Sequence, residues 1–227
     1  MLTVPNLWRS LILAIVVAAR VGAQTPSDAE IRKILIDRID KYENSVGMVV
    51  GVIGSGGRRI VSYGTFGVQD ARPVGGDTLY EIGSITKVFT SVILAEMVER
   101  GEVALKDPVA KYLPAGVRVP QRGGKQITLY DLATHHSGLP RMPSDYSTNG
   151  PDDPYASYPE DKLYAFLSSY HLTRAIGAKF EYSNLGVALL GHALSRRAGK
   201  DYDSLVREHV LVPLGMSSTG YTLSSDL

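Results

Sequence analysis

Residues 84 to 100 constrain this chain more than any other stretch. Val88, Phe89, Val92, Ile93, Leu94, Ala95, Met97 and Val98 recur around most sides of a helix running from about Ser84 to Arg100, and Gly101 stands where a helix-terminating glycine belongs. A helix apolar on most sides is expected to be central and buried. Yet Ser84, Lys87 and Ser91 fall on one stripe of it, at i, i+3 and i+7. Polar groups on a buried helix need partners or a purpose.

The tetrad Ser84-Ile85-Thr86-Lys87 has the makings of one. One helical turn brings the Lys87 amine beside the Ser84 hydroxyl. Burial of that amine would disfavour its charged form and let it act as a base. The helix N-terminus adds backbone N–H groups that favour developing negative charge. Taken alone, the tetrad is weak evidence and better fits an N-cap serine followed by a solvated lysine. Tyr182-Ser183-Asn184, in a loop before a helix over 186–198, adds a phenol able to relay protons and an amide able to hydrogen-bond Lys87 and a substrate amide. By itself that triplet also fits a core tyrosine and a helix-capping asparagine.

Around these segments the pattern alternates between helix and strand. Ser27 and Glu30 form a capping box ahead of Ile31, Ile34, Leu35, Ile39 and Tyr42 at helical spacing. Gly47 to Ile53 and Arg58 to Val68 read as a hairpin joined at Gly54-Ser55-Gly56-Gly57, and Ala71 to Asp77 as a turn. Short helices follow from Asp107 to about Leu113 and from Thr128 to Thr134. Residues 137–160 form a long polar loop, and further helices are expected after Pro159, over 186–198 ahead of Gly199, and from Asp203 to Val210.

Residues 1–23 are expected to be a signal peptide rather than part of the fold. Arg9 closes a basic region, Leu11 to Ala19 form a short apolar core, and Val21-Gly22-Ala23 offers small residues for cleavage. Arg20 interrupts the apolar run well short of the roughly 20 residues a span requires. Residues 24–227 are then the folded part, exported to the periplasm or the exterior, with no membrane span in the mature chain. Without Arg9 and Arg20 the chain carries 22 basic and 23 acidic side chains, a net charge of −1. Such a balance offers no footprint for nucleic acid. The expected partner is a small-molecule or peptide substrate, with no cofactor, and the oligomeric state is left open. The absence of cysteine excludes disulfides, thiolate metal sites and a cysteine nucleophile. His135-His136 lacks a His-Glu-x-x-His pattern and reads as structural, with no metal. Gly54 to Gly57 lacks the Lys-Ser/Thr ending of a phosphate loop, and no Gly-x-Ser-x-Gly elbow occurs. Tyr146, Tyr155 and Tyr158 fit a substrate cleft and plain loop residues equally well.

Glu81 to Thr90 resembles the nucleophile segment of class C β-lactamases, D-alanyl-D-alanine peptidases and related serine esterases. Three further stretches resemble the same family in the same order: Leu132 to Pro140, Phe180 to Gly186, and Pro213 to Met216. The resemblance implies an α+β, β-lactamase/transpeptidase-like fold, with an antiparallel sheet flanked by helices and a helical subdomain. It implies that Ser84 is acylated, that Lys87 is the base, and that Tyr182 and Asn184 form the second motif, Asn184 binding substrate. The substrate would be a β-lactam, a D-alanyl peptide or an ester. The family's oxyanion hole combines the nucleophile's N–H with one from a third-motif strand. Two departures stand out. Ile176-Gly177 replaces a common Pro-Gly, and no Lys-Thr-Gly or His-x-Gly triplet follows Tyr182. The expectation is therefore a chain that stops before the last sheet strands of the family. The alternative function is a non-catalytic ligand-binding relative, or an inactive fragment.

Overall fold

The computed structural model describes residues 25–147 and 158–221. They fall into two compact units, the first ending at Thr78 and the second beginning at Leu79. The expected leader, residues 1–23, and Tyr155 lie outside the described residues.

The first unit is one helix on a small sheet. Helix α1 (Asp28–Ile36) opens on the expected capping box: the Ser27 hydroxyl accepts from the Glu30 N–H, and the Glu30 carboxylate accepts from the Ser27 N–H at 2.8 Å. Such a cap contributes about 1 kcal/mol. The helical register loosens into a π-type turn at Asp37–Lys41, so the regular helix is shorter than the spacing through Tyr42 suggested. Only Ile31 and Leu35 of the expected stripe are fully buried, against Val61 and the partly covered Met48, Val50, Val52 and Tyr63. Strands β1 (Gly47–Gly54) and β2 (Gly57–Gly67) pair antiparallel from Gly47↔Gly64 to Gly54↔Gly57, as the hairpin pattern predicts.

A third strand corrects the sequence reading. The segment expected to be a turn, Ala71 to Asp77, overlaps β3 (Asp70–Pro73), paired antiparallel with β2. Arg72-Pro73 has none of the β-branched or aromatic residues that signal a strand. Proline is nonetheless tolerated at an edge, where its missing N–H costs no ladder bond.

The second unit is helical. Gly83–Ile85 forms a single 3-10 turn that runs into α2 (Thr86–Glu99). A 3-10 turn at Val109–Tyr112 and a two-residue ribbon of β4 (Gln121–Arg122) with β5 (Lys125–Gln126) come next. Then follow α3 (Leu129–Ala133), α4 (Glu160–Ser169), α5 (Asn184–Ala198) and α6 (Tyr202–Val206). Gly101 and Gly199 end α2 and α5 with φ of +71° and +66°, left-handed angles that a residue with a Cβ adopts only at a cost.

The central helix is α5, not α2 as the sequence suggested. Leu185, Leu189, Leu190, Ala193 and Leu194 of α5 are buried against Ile93, Leu94 and Met97 of α2, Leu129 and Leu132 of α3, and Leu205 and Val206 of α6. Helix α2 buries only that one face. Ile85 and Val88 are each 59% exposed and Val92 is 43% exposed. Apolar periodicity counts greasy positions but does not say which of them find a neighbour. Among the described residues no helix is long and apolar enough to cross a membrane.

Candidate active site

The four residues singled out from the sequence meet in the second unit. Lys87 Nζ lies 3.1 Å from Ser84 Oγ and donates to it, one turn along the chain as the tetrad predicts. The Tyr182 hydroxyl donates to the same Ser84 Oγ at 2.6 Å. Lys87 Nζ also donates to Asn184 Oδ1 at 2.9 Å and sits 4.9 Å from the centre of the Tyr182 ring. Ser84 is exposed and caps no helix, and its oxygen is held by these two donors. Lys87 is half-buried, not sealed within an apolar helix as expected. The open side of α2 is the reason.

The backbone explains why Tyr182 and Asn184 both reach the site. Ser183, between them, is extended, with φ −129° and ψ 114°. In an extended segment alternate side chains point to opposite sides. Tyr182 and Asn184 therefore share one side, and Ser183 turns inward, fully buried. Its hydroxyl accepts from the Gly186 N–H at 2.8 Å, capping α5, and donates to the Pro140 carbonyl at 2.6 Å. Because Ser183 is the cap, the Asn184 amide is free to meet Lys87.

The loop that supports this segment lies in the Leu132 to Pro140 stretch, where the sequence marks a family resemblance but no catalytic role for His135. His135 adopts a left-handed φ of +61°, costly for a residue with a side chain. Its ring lies 4.6 Å from that of Tyr182, and its Nδ1 accepts the Ser183 N–H at 3.1 Å, which puts the proton of a neutral ring on Nε2. The His135 carbonyl accepts the Glu181 N–H at 2.8 Å. Burial, and then the Lys87 charge, push the His135 pKa below the usual histidine value. His136 instead bonds Thr134 through Nδ1 and faces Phe180 edge-on. Two side chains on one loop thus buttress the Tyr182 segment. The strained φ at His135 has no counterpart in composition or spacing, and its one local signal is the His-His-Ser-Gly run itself.

Arg141 is the other residue the sequence reading passed over. Its guanidinium carbon lies 5.2 Å from the centre of the Tyr182 ring, and its carbonyl accepts the Asn184 and Leu185 N–H groups. The Tyr182 phenol has its pKa drawn below the ordinary tyrosine value, first by its hydrogen bond with Lys87 and then by that with Ser84. Tyr146 and Tyr158 pack on each other at 6.0 Å, and the Tyr158 hydroxyl donates to Asp145, so these rings engage their own loop.

This arrangement places one hydroxyl oxygen against two groups that can exchange its proton, with an amide beside them. It suits nucleophilic attack by Ser84 and proton transfer through Lys87 and Tyr182.

The Beta-lactamase family profile matches residues 35–226. The chain is 36% identical to the D-alanyl-D-alanine-carboxypeptidase/endopeptidase AmpH of Escherichia coli (strain K12), over 96% of its own length and 58% of that protein's. It is 31% identical to a beta-lactamase of Providencia stuartii, over 82% of this chain and 45% of the relative. A solved beta-lactamase/D-alanine carboxypeptidase from Yersinia pestis, complexed with citrate, superposes with a TM-score of 0.71 at 36% identity, covering 88% of this chain and 58% of that one. A class C beta lactamase from Rhodobacter sphaeroides superposes with a TM-score of 0.66 at 32% identity, covering 83% and 49%. The α+β fold expected from the motifs agrees with these neighbours. The chain spans about half the length of these relatives, from 45% to 58%. With the profile covering most of its residues and these likenesses running through the motif segments, this chain belongs to the Beta-lactamase family.

Proposed function

We propose that this chain carries the nucleophile and proton-transfer groups of an exported serine acyl hydrolase. Ser84 Oγ attacks the carbonyl carbon of a β-lactam, a D-alanyl peptide or a carboxylic ester. Its proton passes to Lys87 in the free-amine form, which becomes the ammonium, and the carbonyl electrons collect on the oxyanion. As the oxyanion collapses, the bond to the leaving amine or alkoxide breaks, and Tyr182 relays a proton to that group. Water then attacks the acyl-enzyme by the reverse route and frees Ser84. Asn184 orients Lys87 and accepts or donates to the amide of the acyl arm.

One observation carries this reading: Ser84 Oγ lies within hydrogen-bond reach of both Lys87 Nζ and the Tyr182 hydroxyl, a residue 98 positions away. The names of the relatives, beta-lactamases and a D-alanyl-D-alanine carboxypeptidase, support the substrate classes. The test is covalent labelling of the full-length protein with a fluorophosphonate or a penicillin probe, read by peptide mass. The label is expected on Ser84 and is expected to vanish in Ser84→Ala. A label on any other serine would overturn the assignment.

Export rests on Arg9, the apolar run from Leu11 to Ala19, and Val21-Gly22-Ala23. Secreted material is expected to begin at Gln24 or within a residue or two of it. Recovery of intact Met1 from soluble exported protein would refute cleavage.

A further inference from the structure

If Ser84 is the nucleophile of an acyl hydrolase, the charges around Tyr182 bear on its substrate class. Lys87 Nζ and the Arg141 guanidinium both lie against the Tyr182 ring, at 4.9 and 5.2 Å. Among the described residues the Arg141 guanidinium has no carboxylate within ion-pair distance, unlike Arg59, Arg72, Arg100 and Arg174, and no backbone carbonyl takes its side chain, unlike those of Arg32, Arg122, Arg196 and Arg197. Lys87 has work at the nucleophile. Arg141 is exposed and has none in the proton-transfer chain.

Arg141 is nonetheless held in place. Its carbonyl accepts the N–H groups of Asn184 and Leu185 at 3.0 and 3.2 Å, so the residue is pinned to the start of α5. Stacking on Tyr182 limits the wandering of a long side chain, and the flat fork of a guanidinium matches the two oxygens of a carboxylate. The position also selects which end of a substrate it would meet. Met142, the next residue, takes the Asn184 Nδ2 donor at 3.6 Å on its sulfur. An acyl arm held by Asn184 therefore runs past Met142 and Arg141. Nearby unpaired positive charge raises the local concentration of anions.

We propose that Arg141 is a specificity-determining residue that binds a carboxylate carried on the acyl arm of the substrate. Acyl groups ending in an acidic side chain are the favoured class, above neutral acyl groups of the same length. The contact forms with substrate bound, and its strength falls as salt screens the exposed guanidinium.

The experiment compares two nitrophenyl esters of matched length, a hydrogen glutarate with a free carboxylate and a neutral valerate, on the full-length protein. The readout is the ratio of their kcat/KM values, each corrected for its rate with hydroxide alone. In Arg141→Ala that ratio is expected to fall about tenfold, in keeping with one exposed charge-assisted contact. Arg141→Lys retains part of the preference, Arg141→Glu lowers the ratio further, and about 1 M salt erodes the wild-type preference. Thermal unfolding of each variant checks that the fold persists. Equal losses on both esters in Arg141→Ala, or a ratio untouched by Arg141→Glu, would overturn the subsite; wild-type turnover of the neutral ester that is lost in Ser84→Ala would still uphold the acyl-hydrolase reading. Turnover of neither ester, or turnover that survives Ser84→Ala, would overturn the acyl-hydrolase reading and this inference with it.

Discussion

Replacing Lys87 by alanine isolates the proton-transfer step. Ser84 Oγ has two polar neighbours, Lys87 Nζ at 3.1 Å and the Tyr182 hydroxyl at 2.6 Å. A positioned general base contributes about 10²–10⁴ in rate, equivalent to roughly 3–5 kcal/mol of barrier. Lys87→Ala removes that base and also strips Asn184 Oδ1 of its donor at 2.9 Å. The Tyr182 phenol stays, so a residual route survives, and the expected loss in acylation is about 10³-fold. Little of it comes from unfolding. Lys87 is half-buried in the first turn of α2, where alanine is a good helix former, so stability is expected to hold within about 1 kcal/mol. The assay is the second-order rate of fluorophosphonate labelling of the full-length protein, followed by intact mass beside a thermal melt. Tyr182→Phe and the double variant complete a cycle. If Lys87 and Tyr182 act as one unit, the double variant loses little more than the worse single one. A folded Lys87→Ala protein that labels as fast as wild type would refute the role given to Lys87.

Three further outcomes are expected. The Tyr182 phenol titrates below the ordinary tyrosine range because of its hydrogen bond with Lys87, and its midpoint is expected to rise in Lys87→Ala; tyrosine-selective carbon NMR reads this, and an unmoved midpoint contradicts it. Asp107 is held down to about 2, first by the Tyr112 hydroxyl and then by the Ala104 N–H and Lys111. Its stabilisation is therefore full above the usual carboxylate range and is lost as pH falls through about 2. Asp107→Asn is expected to cost about 1–2 kcal/mol near neutral pH in denaturant titrations, with the gap to wild type closing in strong acid; a gap independent of pH would refute the ionic origin. Leu190, wholly buried at the centre of α5, is expected to cost about 2–5 kcal/mol as Leu190→Ala, and a cost near zero in the same titration would refute its central place in the core.

Local signals fixed much of this protein before any fold was known. Ser27 and Glu30 wrote the start of α1, Gly101 and Gly199 wrote the ends of α2 and α5, and alternation wrote the β1–β2 hairpin. These features depend on neighbours within a few residues, so spacing carries them. The Ser84–Lys87 contact belongs to the same class, being one helical turn. The meeting of Ser84 with Tyr182 and Asn184 was legible only through resemblance, because no local rule joins residues nearly a hundred positions apart.

Tertiary packing decided the rest. It made α5 the buried centre and left Ile85, Val88 and Val92 of α2 uncovered, since an apolar residue is buried only where a partner arrives. It recruited Asp70–Pro73, a segment without strand formers, as an edge strand because β2 offered unpaired backbone groups. It turned Ser183 inward as the cap of α5, which released Asn184 toward Lys87. It also bent His135 into a left-handed turn under the Tyr182 ring and laid Arg141 against the same ring, with no ion pair among the described residues. Spacing records which groups a chain owns, whereas the desolvation, strain and charge that give those groups their chemistry arise only when distant segments touch.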